Sequence, residues 1–229
     1  MTPTQPLVAL FDMDGVLYDS MPRHARSWHE AMAAYGLEMS EEEAYACEGM
    51  RGVETIRLIA RKGWGRDVSE EEAQRMYGEK TRLYSSLGTA PLIPGIMDVH
   101  RALLERNIHI GVVTGSGQTS LLERISKDFK DTITPGLIIT ANDVKNGKPS
   151  PEPYQQGIKK AALLLGMENL QPSQTIVIEN APLGVRSAVA AGCFTIGVNT
   201  GPLPDEMLYN EGADIVFKNM HELAAAIRE

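Results

Sequence analysis

Apolar residues along this chain fall into two alternating patterns. Short uninterrupted runs occupy positions 7–11, 108–113, 137–140, 175–178, 195–198 and 215–217. Runs of that length are expected of strands covered on both faces, as in a parallel sheet. Between most of them apolar positions recur at helical spacing, over 96–106, 121–127, 154–165 and 183–191. Strands alternating with helices predict βαβ units and an open, doubly wound α/β sheet.

One interval departs from this rhythm. Between about Asp19 and Pro91 no strand pattern occurs, and helical patterns cover 23–35, 41–47, 53–61 and 70–87. Ser69, with Glu72 three residues on, predicts a capping box for the last of these. Trp28, Met32 and Tyr35 fall at helical spacing and read as the interior of this block. Glu41-Glu42-Glu43 reads as a solvated first turn that suits the helix dipole. A helical stretch of about 70 residues is too long for a crossover. It predicts a four-helix insert, residues 19–90, set into an α/β core made of residues 1–18 and 91–229. Flexible segments at Asp19 and 89–94 would then form a hinge.

Composition narrows the class. The 229 residues are 43% hydrophobic and 23% charged, as in ordinary globular proteins. With 22 basic and 30 acidic residues the net charge is −8, which argues against nucleic acid or an anionic membrane as partner. A local anion pocket stays compatible with that balance. No apolar run approaches the roughly 20 residues of a membrane helix, and the first six residues are too short and polar for a signal peptide. Cys47 and Cys193 are too few for a disulfide framework. A cytoplasmic monomer is expected.

Chemistry-bearing residues gather where the apolar runs end. In an open α/β sheet, ligands bind beyond the carboxyl ends of the strands. Asp12 and Asp14, with Gly15 allowing a sharp turn, follow the first run. Such a pair can hold a hard divalent cation, or supply a carboxylate nucleophile beside a proton-donating acid. Thr114 closes the second run, and Gly115, Ser116 and Gly117 follow it. A hydroxyl and free N–H groups there would make an anion site. Lys148 lies in a segment stiffened by Pro149, Pro151 and Pro153, a mount suited to neutralising carboxylates and a phosphoryl group. Glu179 and Asn180 follow the fourth run and could complete a magnesium site with Asp12. Each group also has an ordinary reading: a solvated turn for Asp12 and Asp14, helix caps for Thr114, Ser116 and Asn180, a surface charge for Lys148.

Taken together, these motifs resemble the haloacid dehalogenase superfamily over nearly the whole chain. The helical insert after the first motif is similar to the cap of β-phosphoglucomutase-like members. The resemblance implies a phosphohydrolase working through an aspartyl-phosphate intermediate. Asp12 would attack phosphorus, while Asp14 first protonates the leaving oxygen and then activates water. Thr114 and Lys148 would hold phosphoryl oxygens, with Lys148 lowering the pKa of Asp12 and Asp14 needing a raised one. Mg²⁺ would be held by Asp12, the Asp14 carbonyl and Asn180.

The chain departs from the superfamily at Asn180, where a carboxylate is usual. Glu179 then reads as an acceptor for a metal-bound water or for Lys148. Glu48, on a turn between insert helices, is the candidate that restores the missing charge; its ordinary reading is a solvated helix end. If Glu48 reaches the metal, the closed cavity should be small and suit a compact, highly charged substrate. His24, Glu48, Lys80 and Asn180 resemble a bacterial inorganic pyrophosphatase of this fold, which implies that His24 and Lys80 bind the leaving phosphate. Thr55 stands where the mutase cap presents an arginine for the distal phosphate. Pyrophosphate is therefore the expected substrate. The alternatives are a phosphosugar mutase, a small sugar-phosphate phosphatase, and a non-enzymatic phospho-acceptor resembling a response-regulator receiver.

Overall fold

The computed structural model describes residues 5–117 and 119–229. Met1–Thr4 of the polar N-terminal stretch and Gln118 lie outside the described residues. All six apolar runs are strands: β1 Val8–Phe11, β2 His109–Val113, β3 Ile138–Ile139, β4 Thr175–Glu179, β5 Phe194–Val198 and β6 Ile215–Phe217. They form one parallel sheet in the order β3-β2-β1-β4-β5-β6. The motif-bearing strands β2, β1 and β4 are adjacent at its centre, so their carboxyl ends open on one crevice.

Alternation along β1 builds both faces. Ala9 and Phe11 pack with helices α5 (Ile96–Glu105), α6 (Thr119–Asp128) and α10 (Met220–Arg228). Val8 and Leu10 pack on the other side with α7 (Glu152–Leu165) and α8 (Pro182–Ala190). Every β1 residue is fully buried, which explains the lack of polar interruption. Truncating Leu10 to Ala would cost about 2–5 kcal/mol.

The insert is four helices, α1 Met21–Ala33, α2 Glu41–Ala46, α3 Gly52–Trp64 and α4 Glu70–Ser86, with their own apolar interior. Trp28 and Met32 are buried in it and Tyr35 packs against it. The Ser40–Glu43 capping box is complete: Glu43 N donates to Ser40 Oγ and Ser40 N to Glu43 Oε2. The box predicted at Ser69 forms only by half. Glu72 N donates to Ser69 Oγ at 3.1 Å, but the Glu72 carboxylate takes Arg66 instead, at 2.9 Å. A charged donor outcompetes a backbone amide there.

The two segments expected to form a flexible hinge are hydrogen-bonded to each other. Asp19 N donates to Pro91 O and Ile93 N to Leu17 O, both at 2.9 Å, so the two crossings run paired. Two further helices, α9 (Asp205–Asn210) and α10, lie outside the helical spacings of the apolar pattern. No helix among the described residues is long and apolar enough to cross a membrane.

Candidate active site

A cavity of about 450 Å³ lies between the sheet crevice and the insert. Asp12, Asp14, Gly115 and Ser116 line it from the core, and His24, Trp28, Cys47, Glu48, Thr55 and Lys80 from the insert. That volume exceeds the small closed site expected from Glu48, because the lining extends beyond Glu48 along the insert to Trp28, Lys80 and Tyr84. Thr114 and Lys148 line an adjoining hollow of about 50 Å³ with Gly115.

Asp12 continues from β1, and its backbone N–H donates to Ile178 O of β4. Its carboxylate accepts from Lys148 Nζ. The same ammonium donates to Glu179 Oε1 at 2.6 Å. Glu179 is fully buried and saturated: it also accepts from Tyr154 Oη at 2.6 Å and from the backbone N–H groups of Asn180 and Ala181. Its role in this geometry is to hold Lys148 toward Asp12. Burial works against the Lys148 charge, but Asp12 and Glu179 outweigh it and push its pKa up.

Asp12 differs from expectation. Its pKa is pushed up to about 8, first by burial, then by Glu179 and Asp14; Lys148 pulls it down without prevailing. The sign expected from Lys148 is right, but the desolvation of a buried carboxylate is larger.

Asp14 is the reverse case. Ser20 Oγ donates to its Oδ1 at 2.5 Å, and His24 Nε2 lies 3.4 Å from that atom. Burial raises its pKa, yet His24, Ser20 and Lys80 together bring it below the usual carboxylate value. The raised pKa expected for an acid is therefore absent; here Asp14 is a carboxylate, poised as a base. Sequence reasoning missed Ser20. It sits just before α1, where a serine normally caps, but its hydroxyl makes no cap bond and serves Asp14 instead.

His24 and Lys80 are not two independent cations. Lys80 Nζ lies 2.7 Å from His24 Nδ1, so the ammonium donates to an unprotonated Nδ1 and the ring proton faces Asp14 from Nε2. Burial lowers the His24 pKa, and that of Lys80 to about 8. Lys80 also sits over the Trp28 and Tyr84 rings.

Thr114 Oγ1 accepts from Ser116 N at 3.1 Å, tightening the turn before α6. Glu48 is drawn into the crevice: Asn180 Nδ2 donates to its Oε2 at 3.0 Å. Burial, then Asp12, Asp14 and Glu179, push the Glu48 pKa well above the ordinary carboxylate range.

Magnesium fits these residues. Glu48 Oε1 and Asn180 Oδ1 are buried without a hydrogen-bond partner among the described residues. No three His, Cys, Asp or Glu side chains cluster as a cation site among the described residues. The donors would therefore be mixed oxygens: the carboxylates of Asp12 and Glu48, the Asn180 amide and the Asp14 carbonyl. All are hard ligands of the kind Mg²⁺ prefers.

A parallel sheet with an acidic pair at its central strand end, a lysine held by a second carboxylate and a helical insert over the crevice define a class of phosphoryl-transfer hydrolases. Residues 9–198 match the haloacid dehalogenase-like hydrolase family, and the chain belongs to it. It is 30% identical over 225 residues to glycerol-1-phosphate phosphohydrolase 1 of Saccharomyces cerevisiae, covering 96% of this chain and 86% of that protein. It is also 30% identical to hexitol phosphatase A of Escherichia coli, over 93% of this chain and 91% of that one. A solved structure from Bacteroides vulgatus, with a provisional β-phosphoglucomutase name, superposes with a TM-score of 0.86 at 42% identity, covering 100% and 92% of the two chains.

Proposed function

We propose that the protein is a Mg²⁺-dependent phosphatase of small phosphorylated sugars or polyols, with residues 19–90 as the cap over its substrate. The observation that carries this reading is the opposite treatment of two carboxylates in one cavity: Asp12 joined to Lys148, Asp14 held ionised by Ser20 and His24. The cavity suits a phosphorylated carbohydrate better than a bare diphosphate. The named relatives act on glycerol 1-phosphate and hexitol phosphates. The pyrophosphatase expectation finds no such support and gives way to this alternative.

In this mechanism Asp12 attacks phosphorus in line and Lys148 steadies the charge on the phosphoryl oxygens. Thr114, Gly115 and Ser116 orient the group from the β2 turn. Asp14 takes a proton from the attacking water when the aspartyl phosphate is hydrolysed. For the earlier step it must carry a proton to the leaving oxygen, and approach of the substrate dianion favours that by raising its pKa. Bound magnesium, held by Asp12, Glu48, Asn180 and the Asp14 carbonyl, would supply charge neutralisation. Hydrolysis fits better than mutase chemistry because Thr55, buried on the cavity wall, carries no charge for a distal phosphate.

One observation favours a second reading. Glu48 against Asn180 adds a carboxylate where a compact, highly charged substrate such as pyrophosphate would bring more metal charge. Phosphate release from a panel of polyol and hexose phosphates, set against pyrophosphate, tests both. Faster turnover of the sugar phosphates supports the first reading, and a preference for pyrophosphate replaces it with the second. A long-lived single phosphorylation without turnover refutes both.

A further inference from the structure

The loop after β5 is bonded to the catalytic turn and to the insert at once. Thr200 Oγ1 donates to Gly15 O at 2.6 Å. Gly15 lies so close under Asn180 that a Cβ there would overlap its side chain. Next in the loop, Gly201 faces the Tyr45 ring: a Cβ on Gly201 would sit 2.5 Å from Tyr45 Cε1. Leu203 then enters the apolar interior of the insert, with Met207 packed against it. The loop is internally braced, since Asn199 Nδ2 donates to Leu203 O at 2.7 Å and to Asp205 Oδ1 at 2.5 Å.

Tyr45 is buried at the end of α2. Its carbonyl accepts from Glu48 N at 3.2 Å, so the ring and the Glu48 carboxylate extend from one short hydrogen-bonded turn. The contacts close a ring: Tyr45 on Gly201, Thr200 to Gly15, Gly15 under Asn180, Asn180 to Glu48, and Glu48 back to Tyr45.

We infer that Tyr45 and Gly201 are positioning residues: seating the Tyr45 ring on Gly201 is what delivers the Glu48 carboxylate to Asn180. Glycine is required at 201 because any side chain occupies the space of the ring. The seat belongs to the core and Tyr45 to the insert, so closure and completion of the site are one event.

The value of Glu48 to turnover rests on the proposed function, so the test includes a readout that needs no substrate. Cys47 lines the cavity beside Glu48, and its labelling by a thiol reagent, followed by peptide mass, reports whether the turn is seated. In Gly201→Ala, Cys47 labelling should accelerate and turnover should fall by roughly ten- to a hundredfold, the scale on which about 1 Å of misplacement at a site acts. Adding Tyr45→Leu, which makes room for the methyl group and keeps an apolar contact, should reverse both effects. Wild-type labelling in Gly201→Ala overturns the inference, and so does failure of Tyr45→Leu to reverse the change. If Gly201→Ala does not fold, Leu203→Ala serves instead: faster labelling supports the inference and unchanged labelling overturns it. A wild-type protein silent on every sugar phosphate would fault the proposed function alone, because the labelling would still report the seat.

Discussion

Asn180 of the core donates its side-chain N–H to Glu48 of the insert at 3.0 Å, and Glu48 Oε1 and Asn180 Oδ1 are both buried without a hydrogen bond among the described residues. Unpartnered buried oxygens are costly, and Glu48 lines the same cavity as Asp12. The relationship joins two parts of the chain that the sequence separates by 132 positions.

Cation binding should therefore stabilise the fold. Adding Mg²⁺ to chelator-treated protein should raise its melting temperature by linkage. Glu48→Gln should raise the half-saturating Mg²⁺ concentration by about tenfold or more, at least the scale on which losing a ligand's supporting partner acts. An identical magnesium-induced shift in the two proteins would remove Glu48 from the metal site.

Replacing Asp12 by Asn should abolish phosphate release, by at least about a thousandfold in kcat, since Asp12 is the carboxylate that follows β1 and pairs with Lys148, while Glu179 is saturated by its own donors. Circular dichroism should show the fold intact. Turnover within tenfold of wild type would refute the nucleophilic role.

Tyr154 donates to Glu179 from within the core, and Glu179 in turn holds Lys148. Tyr154→Phe deletes one hydrogen bond to a buried charge, worth about 1.5–3 kcal/mol. The urea midpoint should fall accordingly, and kcat should fall with KM changed less, because Lys148 acts on the transferring group. An unchanged kcat would confine Tyr154 to packing.

His100 provides a separate acid-sensitive element. It is buried between Phe11 and Phe129, with Nδ1 on Thr132 Oγ1 at 2.9 Å, and burial lowers its pKa from 6.5 to about 3. The unfolded chain binds a proton that the folded one refuses between these values. His100 therefore costs no stability above about pH 6.5, and stability falls as pH drops toward 3, with a slope approaching 1.4 kcal/mol per pH unit. In His100→Leu that slope should flatten. Urea midpoints measured from pH 7 to pH 5 that run parallel in the two proteins would exclude this linkage.

By itself the sequence determined the elements and the addresses of the chemistry. Six apolar runs became six strands, and a break in their rhythm became four helices. Asp12, Thr114 and Asn180 could be placed at strand ends because a buried run and the polar residue after it are local features. Helices α9 and α10 are not marked by the apolar pattern, although Asn219 with Glu222 three residues on carries an N-cap signal that the structure uses. Tyr154 and Ser20 offer no distinguishing signal, since Tyr154 reads as an ordinary helix residue and Ser20 as an ordinary cap until the partner of each is known.

Tertiary structure alone decided the protonation and the dimensions of the site. Asp12 is raised and Asp14 lowered because burial and the charges around each come from β4, α1 and α4, far away in sequence. His24 and Lys80 pair with each other, and Glu179 gathers four donors, for the same reason. The cavity size follows from how the insert seats on the core, a packing outcome that no run of neighbouring residues encodes. Desolvation and Coulomb interaction depend on distance in space, whereas strand and helix patterns depend on distance along the chain.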